Sequence, residues 1–190
     1  MPQYTDDYIR NILRTTRTIA MVGASANSAR PSFLVLKYLS ERGYRMLPIN
    51  PGLAGDAIHG LPVYARLADA PGPIDMVEIF RNSAVAGAVV DEALALDPLP
   101  QVIWMQLGVR DDAAAARAEA RGVKVVMNRC PKIEYGRLSS EISWMGVNTR
   151  TISSKKGTIG GVQRMSLDRA TARGGATTAA DRVQREDSGH

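Results

Sequence analysis

The sequence is poor in the residues that build disulfide, metal and histidine-based catalytic sites. Of its 190 residues, one is cysteine and two are histidine. A single cysteine, Cys130, excludes an internal disulfide framework and suits a reducing cytoplasm. With only His59 and His190, and no Cys/His cluster at zinc spacing, neither a metal site nor a Ser-His-Asp relay is predicted.

Long apolar runs are also missing. No stretch approaches the roughly 18 apolar residues that a transmembrane helix needs. The N-terminal sequence MPQYTDDYIR lacks the basic and apolar regions of a signal peptide. Because the hydrophobic fraction of 45% is ordinary for a globular protein, we expect a soluble cytoplasmic protein that does not associate with membranes.

The excess of positive charge is confined to the C-terminal part of the chain. Residues 1–136 carry 15 Lys/Arg against 14 Asp/Glu, whereas residues 137–190 carry 9 against 5. We predict a single domain over 1–136 and a Ser/Thr/Gly/Arg-rich tail over 137–190, flexible and mostly disordered from about residue 153. RNA or an acidic partner is an alternative role for this tail, disfavoured because no aromatic residue follows Trp144 to stack on bases.

Continuous apolar runs alternate with helix-like segments. The runs have strand length and lie at Thr18–Val22, Tyr44–Ile49, Met76–Phe80, Val102–Met105 and Val123–Met127. Helices are predicted at residues 5–15, 31–42, 82–96 and 111–121. Residues 51–73, rich in proline and glycine, are predicted to hold loops, one short strand near Pro62–Tyr64 and at most one helical turn.

Alternation of this kind predicts the α/β class. The expected fold is a Rossmann-like, doubly wound parallel sheet of about five main strands. Ligands of such sheets bind at the carboxyl ends of the strands, near the point where strand order reverses. The loops that follow the five predicted strands are therefore the candidate ligand-binding loops.

The loop after the first strand, GASANSARPS, has the composition of a phosphate-binding turn. Gly23 lets the chain turn sharply and approach a ligand closely. Ser25 offers a short polar side chain and Arg30 a charged fork. Pro31 then begins a helix whose free N–H groups and dipole favour an anion. An ordinary strand–helix turn is the alternative interpretation.

Two common phosphate-binding signatures are absent. After Gly23 no glycine occurs until Gly43, so the dinucleotide fingerprint G-x-G-x-x-G is missing. The acidic residue that would bind the ribose after the second strand is replaced by Asn50 and Pro51. No Walker sequence G-x-x-x-x-G-K-[ST] is present either. A small NAD(P)-binding oxidoreductase is therefore kept only as the alternative function.

Six short motifs, taken in order, resemble a known family. They are VGAS, RPS, GYRMLPINPG, VYARLADAPGPIDMVEIFR, VIWMQLGV and VVMNRCPKIE. The set resembles the small standalone CoA-binding proteins, whose domain is similar to the N-terminal CoA-binding domain of the succinyl-CoA synthetase alpha subunit. The resemblance covers about residues 5–136 and leaves the tail outside.

The resemblance implies coenzyme A or acyl-CoA as the ligand, bound at the carboxyl edge of the sheet. It implies that the pyrophosphate lies at the first loop, formed by Gly23, Ala24, Ser25, Arg30 and Pro31. The adenosine would then border the next turn, at Asn50 and Pro51.

The remaining implied contacts follow the later strands. Phe80 and Arg81 suit adenine stacking or a phosphate. The pantetheine amides would run along Gln106, Leu107 and Gly108. Asn128 and Cys130 follow the last strand at the same edge and complete the predicted binding site. For each of these residues a structural role, in the core, at a helix cap or on the surface, is the alternative.

Cys130 raises a further hypothesis, a mixed disulfide with CoA or a redox role. In this hypothesis the nearby Arg129 and Lys132 lower the pKa of its thiol. Buried free cysteine more commonly packs as a small hydrophobic residue, which is the favoured interpretation.

Turnover is not predicted. Asp75, Glu78 and Glu134 lie near predicted strands, but the sequence shows no partner that would make any of them a general acid or general base. In the synthetase the chemistry needs a further domain with a phosphorylated histidine, and nothing of that size follows residue 136. The prediction is a non-catalytic module that binds CoA, without a metal, with a protein partner or a second copy of the chain left open.

Overall fold

The central element of the fold is one parallel β-sheet. The structure, a computed structural model, describes residues 4–139. The sheet has five strands, each paired in parallel with its neighbours: β1 (Thr18–Val22), β2 (Arg45–Ile49), β5 (Met76–Ile79), β6 (Val102–Met105) and β7 (Lys124–Val126). Nearly all of their residues are buried, as the continuous apolar runs require. The predicted α/β, Rossmann-like class is confirmed.

Helices cover both faces of the sheet. They are α1 (Asp6–Thr15), α2 (Pro31–Glu41), α3 (Ser83–Leu94), α4 (Asp112–Ala120) and α5 (Pro131–Leu138). One core cluster joins the sheet to α1, α2 and α5, and the other joins it to α3 and α4. Successive residues of β1 divide between them, since Ile19 and Met21 pack in the first cluster and Ala20 in the second.

The strand order places a crevice between β1 and β5. Across the sheet the order is β2-β1-β5-β6-β7. The chain builds outward from β1 to β2, then returns and builds in the opposite direction from β5 to β7. The point of reversal lies between β1 and β5, where a ligand crevice is expected at the carboxyl ends of the strands.

Three details differ from the sequence prediction. The segment 51–73 holds two short 3₁₀ turns, Pro51–Leu53 and Leu67–Asp69, where at most one turn was expected. It also holds two short antiparallel strands, β3 (Ala57–Ile58) and β4 (Leu61–Pro62), instead of one. Helix α5 was not predicted at all, because the run NRCPKIEYGRL shows little apolar periodicity.

The predictions about the tail lie outside the described residues. They concern its disorder from about residue 153 and the alternative of RNA binding through Lys155, Lys156, Arg164 and Arg169. The described chain continues in α5 two residues beyond 136, as far as Leu138. The boundary at 136 stays a prediction.

Candidate functional site

A cavity of about 620 Å³ opens at the carboxyl edge of the sheet. It lies between the first turns of α2 and α5, over the ends of β5 and β6. Its walls are Ala29, Pro31, Leu34, Val35, Phe80, Arg81, Asn82, Gln106, Leu107, Gly108, Val109, Cys130, Lys132 and Ile133. The cavity therefore occupies the edge at which the strand order predicts a ligand.

Three helices begin at this cavity without a side-chain cap. Pro31 is the first residue of α2, and Asn82 and Cys130 are the residues that precede α3 and α5. In none of the three does the side chain of the preceding residue accept a hydrogen bond from the first turn. The backbone N–H groups of a first turn and the positive end of the helix dipole favour an anion.

The charged side chains of the cavity are cationic. Arg81 and Lys132 line it, and none of the described lining residues is Asp or Glu. The Lys132 ammonium lies 5.4 Å from the centroid of the Tyr38 ring. Together with the three helix N-termini, these cations give the cavity a positive potential.

Gly23 brings the end of β1 close to the end of β5. Its φ is +90°, and its N–H donates to the carbonyl oxygen of Ile49 at 2.9 Å. A Cβ at this position would lie 2.5 Å from the carbonyl oxygen of Phe80 and 2.9 Å from Cδ of Arg81. Glycine is therefore required here both by backbone conformation and by space.

The loop after β1 is held in shape by its own polar groups. The Ser25 hydroxyl accepts from the N–H of Asn27 at 3.2 Å, and the Asn27 side chain accepts from the N–H of Ala29 at 2.9 Å. The Asn50 amide donates to the carbonyl oxygen of Ala24 at 2.7 Å, which ties this loop to the turn after β2. The two loops predicted to contact pyrophosphate and adenosine are thus neighbours.

A buried acid, Glu78, lies beneath the cavity and is hydrogen-bonded to one of its lining residues. Glu78, on β5, has no exposed surface, and its Oε1 accepts from Nε2 of Gln106 at 3.0 Å. Its Oε2 has no hydrogen-bond partner among the described residues. Burial raises the pKa of Glu78 to about 8, so this carboxyl is mainly protonated at pH 7. Sequence alone gave no signal for its burial, because an acid within a strand more often faces solvent.

Cys130 is buried, as the favoured interpretation expected, and the hypothesis of a reactive thiol finds no support. Burial raises the pKa of its thiol, whereas that hypothesis requires Arg129 and Lys132 to lower it. Both cations are engaged elsewhere, Arg129 3.9 Å from a carboxylate oxygen of Glu134 and Lys132 over the Tyr38 ring. The thiol is therefore protonated at neutral pH, and a reactive thiolate is not supported.

The fourteen residues proposed from the sequence divide into two equal groups. Seven line the cavity: Pro31, Phe80, Arg81, Gln106, Leu107, Gly108 and Cys130. The other seven lie in the loops at the same edge without lining it: Gly23, Ala24, Ser25, Arg30, Asn50, Pro51 and Asn128. Of these, Ala24 is buried, and Asn128 accepts from the N–H of Gly108 at 2.8 Å. Among the lining residues that the sequence did not suggest, Lys132 and Ile133 belong to the unpredicted helix α5.

Other kinds of site find no basis in the described chain. No group of three His, Cys, Asp or Glu residues within 4–139 could hold a metal ion. His59 lies away from the cavity, with Nε2 3.0 Å from the carbonyl oxygen of Phe33. None of the described helices is both long and apolar enough to cross a membrane.

Comparison with known protein families decides the identity of the fold. A family model described as a CoA binding domain matches residues 17–136. The chain belongs to this CoA-binding domain family. The match begins just before β1 and ends within α5, so it includes every loop that surrounds the cavity. The resemblance inferred from the sequence motifs is thereby confirmed.

Individual relatives agree with membership of the CoA-binding domain family. The "Uncharacterized protein YneT" of Bacillus subtilis is 33% identical over 127 residues, which are 67% of this chain and 91% of that protein. The acetate–CoA ligase (ADP-forming) of Methanocaldococcus jannaschii is 27% identical over 86 residues, 45% of this chain but only 12% of the ligase.

A solved structure extends this agreement to the fold. The structure of cell-free ID.343 from Thermus thermophilus is 35% identical, with a TM-score of 0.67, and the alignment covers 71% of this chain and 99% of that one. The comparisons give no support to the NAD(P)-binding oxidoreductase alternative.

Proposed function

We propose that this chain binds coenzyme A or an acyl-CoA in the cavity at the carboxyl edge of the sheet, without turning it over. The observation that carries the proposal is the convergence of three helix N-termini without side-chain caps on one cation-lined cavity. Anionic ligands are favoured at such N-termini, and CoA supplies three phosphate groups.

The phosphates of CoA are proposed to bind at the positively charged side of the cavity. In the proposed complex the pyrophosphate lies at the Gly23-Ala24-Ser25 loop and the first turn of α2, within reach of Arg30. Gly23 lets the loop pass close to Phe80 and Arg81, since a Cβ at this position would clash with both. Arg81, whose side chain passes over Gly23, supplies a charged fork for a phosphate. In the same proposed complex the turn at Asn50 and Pro51 borders the adenosine, and Phe80 stacks on the adenine.

The pantetheine arm accounts for the apolar side. Leu34, Leu107 and Ile133 line the cavity, and each exposes about half of its surface. Large apolar residues that remain exposed around a cavity commonly cover an apolar part of a ligand. The arm would run between them, from the phosphates toward Gln106.

Binding without chemistry is proposed because of the groups that the cavity offers. Its polar side chains are amides, cations and a protonated thiol, and Glu78 lies beneath the floor instead of in the cavity. These groups recognise and orient a ligand, but they do not supply an acid–base pair. The proposed compartment is the cytoplasm, in keeping with the single cysteine.

The proposal is tested by titration calorimetry of the full chain with CoA. Arg81→Ala should weaken binding by about tenfold or more, because a charge-assisted hydrogen bond contributes roughly 1.5–3 kcal/mol. Ser25→Ala should weaken it less. The control is Lys124→Ala, which removes a positive charge from the exposed start of β7, at the opposite edge of the sheet. Unchanged affinity in both Arg81→Ala and Ser25→Ala would contradict the proposed site.

A further inference from the structure

Two polar side chains form the floor of the cavity, and both are almost completely buried. Gln106 is 6% exposed and Cys130 is 7% exposed. The walls above them include Leu34, Val109 and Ile133. A ligand group that reaches this floor leaves water, so an unpaired polar atom on either side would be costly.

The orientation of the Gln106 amide is fixed by two partners. Its Oε1 accepts from the backbone N–H of Leu107 at 2.9 Å, and its Nε2 donates to Oε1 of Glu78 at 3.0 Å. A backbone N–H is always a donor, so the amide oxygen must face Leu107. The amide nitrogen therefore faces Glu78, and its second N–H remains for another acceptor.

The same amide lies beside the Cys130 thiol. A hydrogen bond from Gln106 lowers the pKa of the thiol, although burial raises it by more. The second N–H of Gln106 is thus directed at the Cys130 sulfur, a weak acceptor, and both residues line the cavity, so a carbonyl oxygen that enters there would be a stronger acceptor for it. The Cys130 S–H is a further, weak donor at the same place.

The floor therefore offers donors and carries no net charge. A phosphate does not suit it, because an ionised group would leave water above the buried carboxyl of Glu78. An adenine edge does not suit it either, since that edge presents a donor as well as acceptors. A carbonyl oxygen in an otherwise apolar group fits both the donors and the walls.

We infer that Gln106, oriented by Glu78, donates a hydrogen bond to the carbonyl oxygen of an acyl thioester. This inference rests on the proposed binding of CoA compounds and adds that the preferred ligand is an acyl-CoA with an apolar acyl group. The acyl chain and the end of the pantetheine arm then share the apolar wall formed by Leu34 and Ile133. Glu78 is a positioning residue, since it acts on the ligand only through Gln106.

The test compares two ligands that differ only at the carbonyl group. Butyryl-CoA is a thioester, and S-butyl-CoA is the thioether in which a CH₂ group replaces the C=O. The full chain should bind the thioester about three- to tenfold more tightly, the usual value of one neutral hydrogen bond. Gln106→Met, which keeps the side-chain length but removes the donor, should bring this ratio to about one.

Glu78 is tested by the same ratio of affinities. Glu78→Gln retains an oxygen that accepts from Gln106, so the ratio should be preserved. Glu78→Leu removes that acceptor and should lower the ratio, whereas a purely structural role would change both affinities together. The matched control is Gln101→Met, at an exposed glutamine just before β6.

The outcomes separate this inference from the proposed function. If CoA, butyryl-CoA and S-butyl-CoA all fail to bind, the proposed function is wrong and the inference is wrong with it. If all three bind and the thioester has no advantage over the thioether, only the inference is overturned. That ratio is measured on the unaltered chain, so it decides the question even where a variant does not fold.

Discussion

The two ends of the β1–β5 strand pair differ in whether side chains accept hydrogen bonds from the backbone N–H groups. At the amino end, Oδ2 of Asp75 accepts from the backbone N–H groups of Arg17 and Thr18, both at 2.8 Å. One carboxylate thus joins the starts of both strands. At the carboxyl end, Gly23 packs against Phe80, and the nearby helices begin without side-chain caps. We call the amino end closed, because Asp75 satisfies its backbone N–H groups, and the carboxyl end open, because no side chain caps the helices that begin there.

A similar contrast separates the helices. Thr5 caps α1 through its hydroxyl, which accepts from the N–H of Tyr8 at 3.2 Å, and Asp111 caps α4, accepting from the N–H of Ala114 at 2.9 Å. Neither Thr5 nor Asp111 lines the cavity. The helices that begin at the cavity, α2, α3 and α5, are those without such caps. Because side-chain caps stabilise helices, their absence at one place supports the proposal that a ligand binds there.

Two buried glutamates on the α5 side of the sheet differ in their partners. Oε2 of Glu134 lies 2.7 Å from a guanidinium nitrogen of Arg137, so this buried carboxylate is paired with an exposed cation. Glu78, under the cavity, has an amide as its partner and one oxygen without a partner among the described residues. The unpaired acid lies at the open end of the sheet, where burial costs stability once the carboxyl ionises.

The largest expected effect is a pH-dependent gain in stability from Glu78→Gln. The folded pKa of Glu78 is about 8 and its ordinary value is 4.5. Between these values the folded state keeps a proton that the unfolded state has lost, so the free energy of unfolding falls as pH rises. Relative to pH 5, the variant should gain on the order of 3–5 kcal/mol at pH 8. Urea denaturation from pH 5 to 9 measures the difference.

The control for that experiment is Glu134→Gln. It removes a carboxylate that is paired with Arg137, so it should lower stability at pH 7 instead of raising it at alkaline pH. Parallel stability curves for the wild type and Glu78→Gln across this range would show that Glu78 does not titrate as described.

The next effect concerns the close approach of β1 to β5. Gly23→Ala should lower the free energy of unfolding by about 2–4 kcal/mol, because strain at positive φ adds to a backbone clash. Gly60→Ala isolates the strain, since φ there is +75° and a Cβ would meet nothing within 4 Å. It should cost about 1 kcal/mol. Equal losses by thermal denaturation would mean that the contact with Phe80 is not constraining.

The smallest effect tests the closed end. Asp75→Ala removes the acceptor of two backbone N–H groups and should lower stability by about 1–2 kcal/mol. CoA affinity should change by less than about twofold, because the residue lies at the edge opposite the cavity. The exposed Asp56→Ala serves as the control. A large loss of affinity in Asp75→Ala would break the division of roles between the two ends.

Much of the fold followed from local sequence. The bounds of β1 and β6 agree with their apolar runs, and α1 lies within the predicted range 5–15, because both signals act within a few residues. Sheet order depends on pairing between distant segments, so the apolar runs alone did not determine which strands flank the crevice. Helix α5 escaped prediction because its buried residues include glycine and a paired acid, Gly136 and Glu134.

The candidate site was predictable in outline only. The loops that follow the strands could be identified, because parallel strands all end at one edge. The burial of Glu78 could not, since it depends on Gln106 from another strand and on the helices that cover that face. The hypothesis of a low-pKa thiol at Cys130 is not supported, because the sequence shows the nearby cations but not the partners that engage them.

The central claim is that the open end of the sheet holds a CoA compound, and thermal denaturation with a ligand panel tests it most directly. The full chain would be melted with CoA, acetyl-CoA, NAD, NADP or ATP. A ligand at a hundred times its dissociation constant stabilises the folded state by about 2.7 kcal/mol, a visible shift in melting temperature. We predict a shift with CoA and acetyl-CoA alone. A shift with NAD or NADP alone, or with none of the five, would contradict the account.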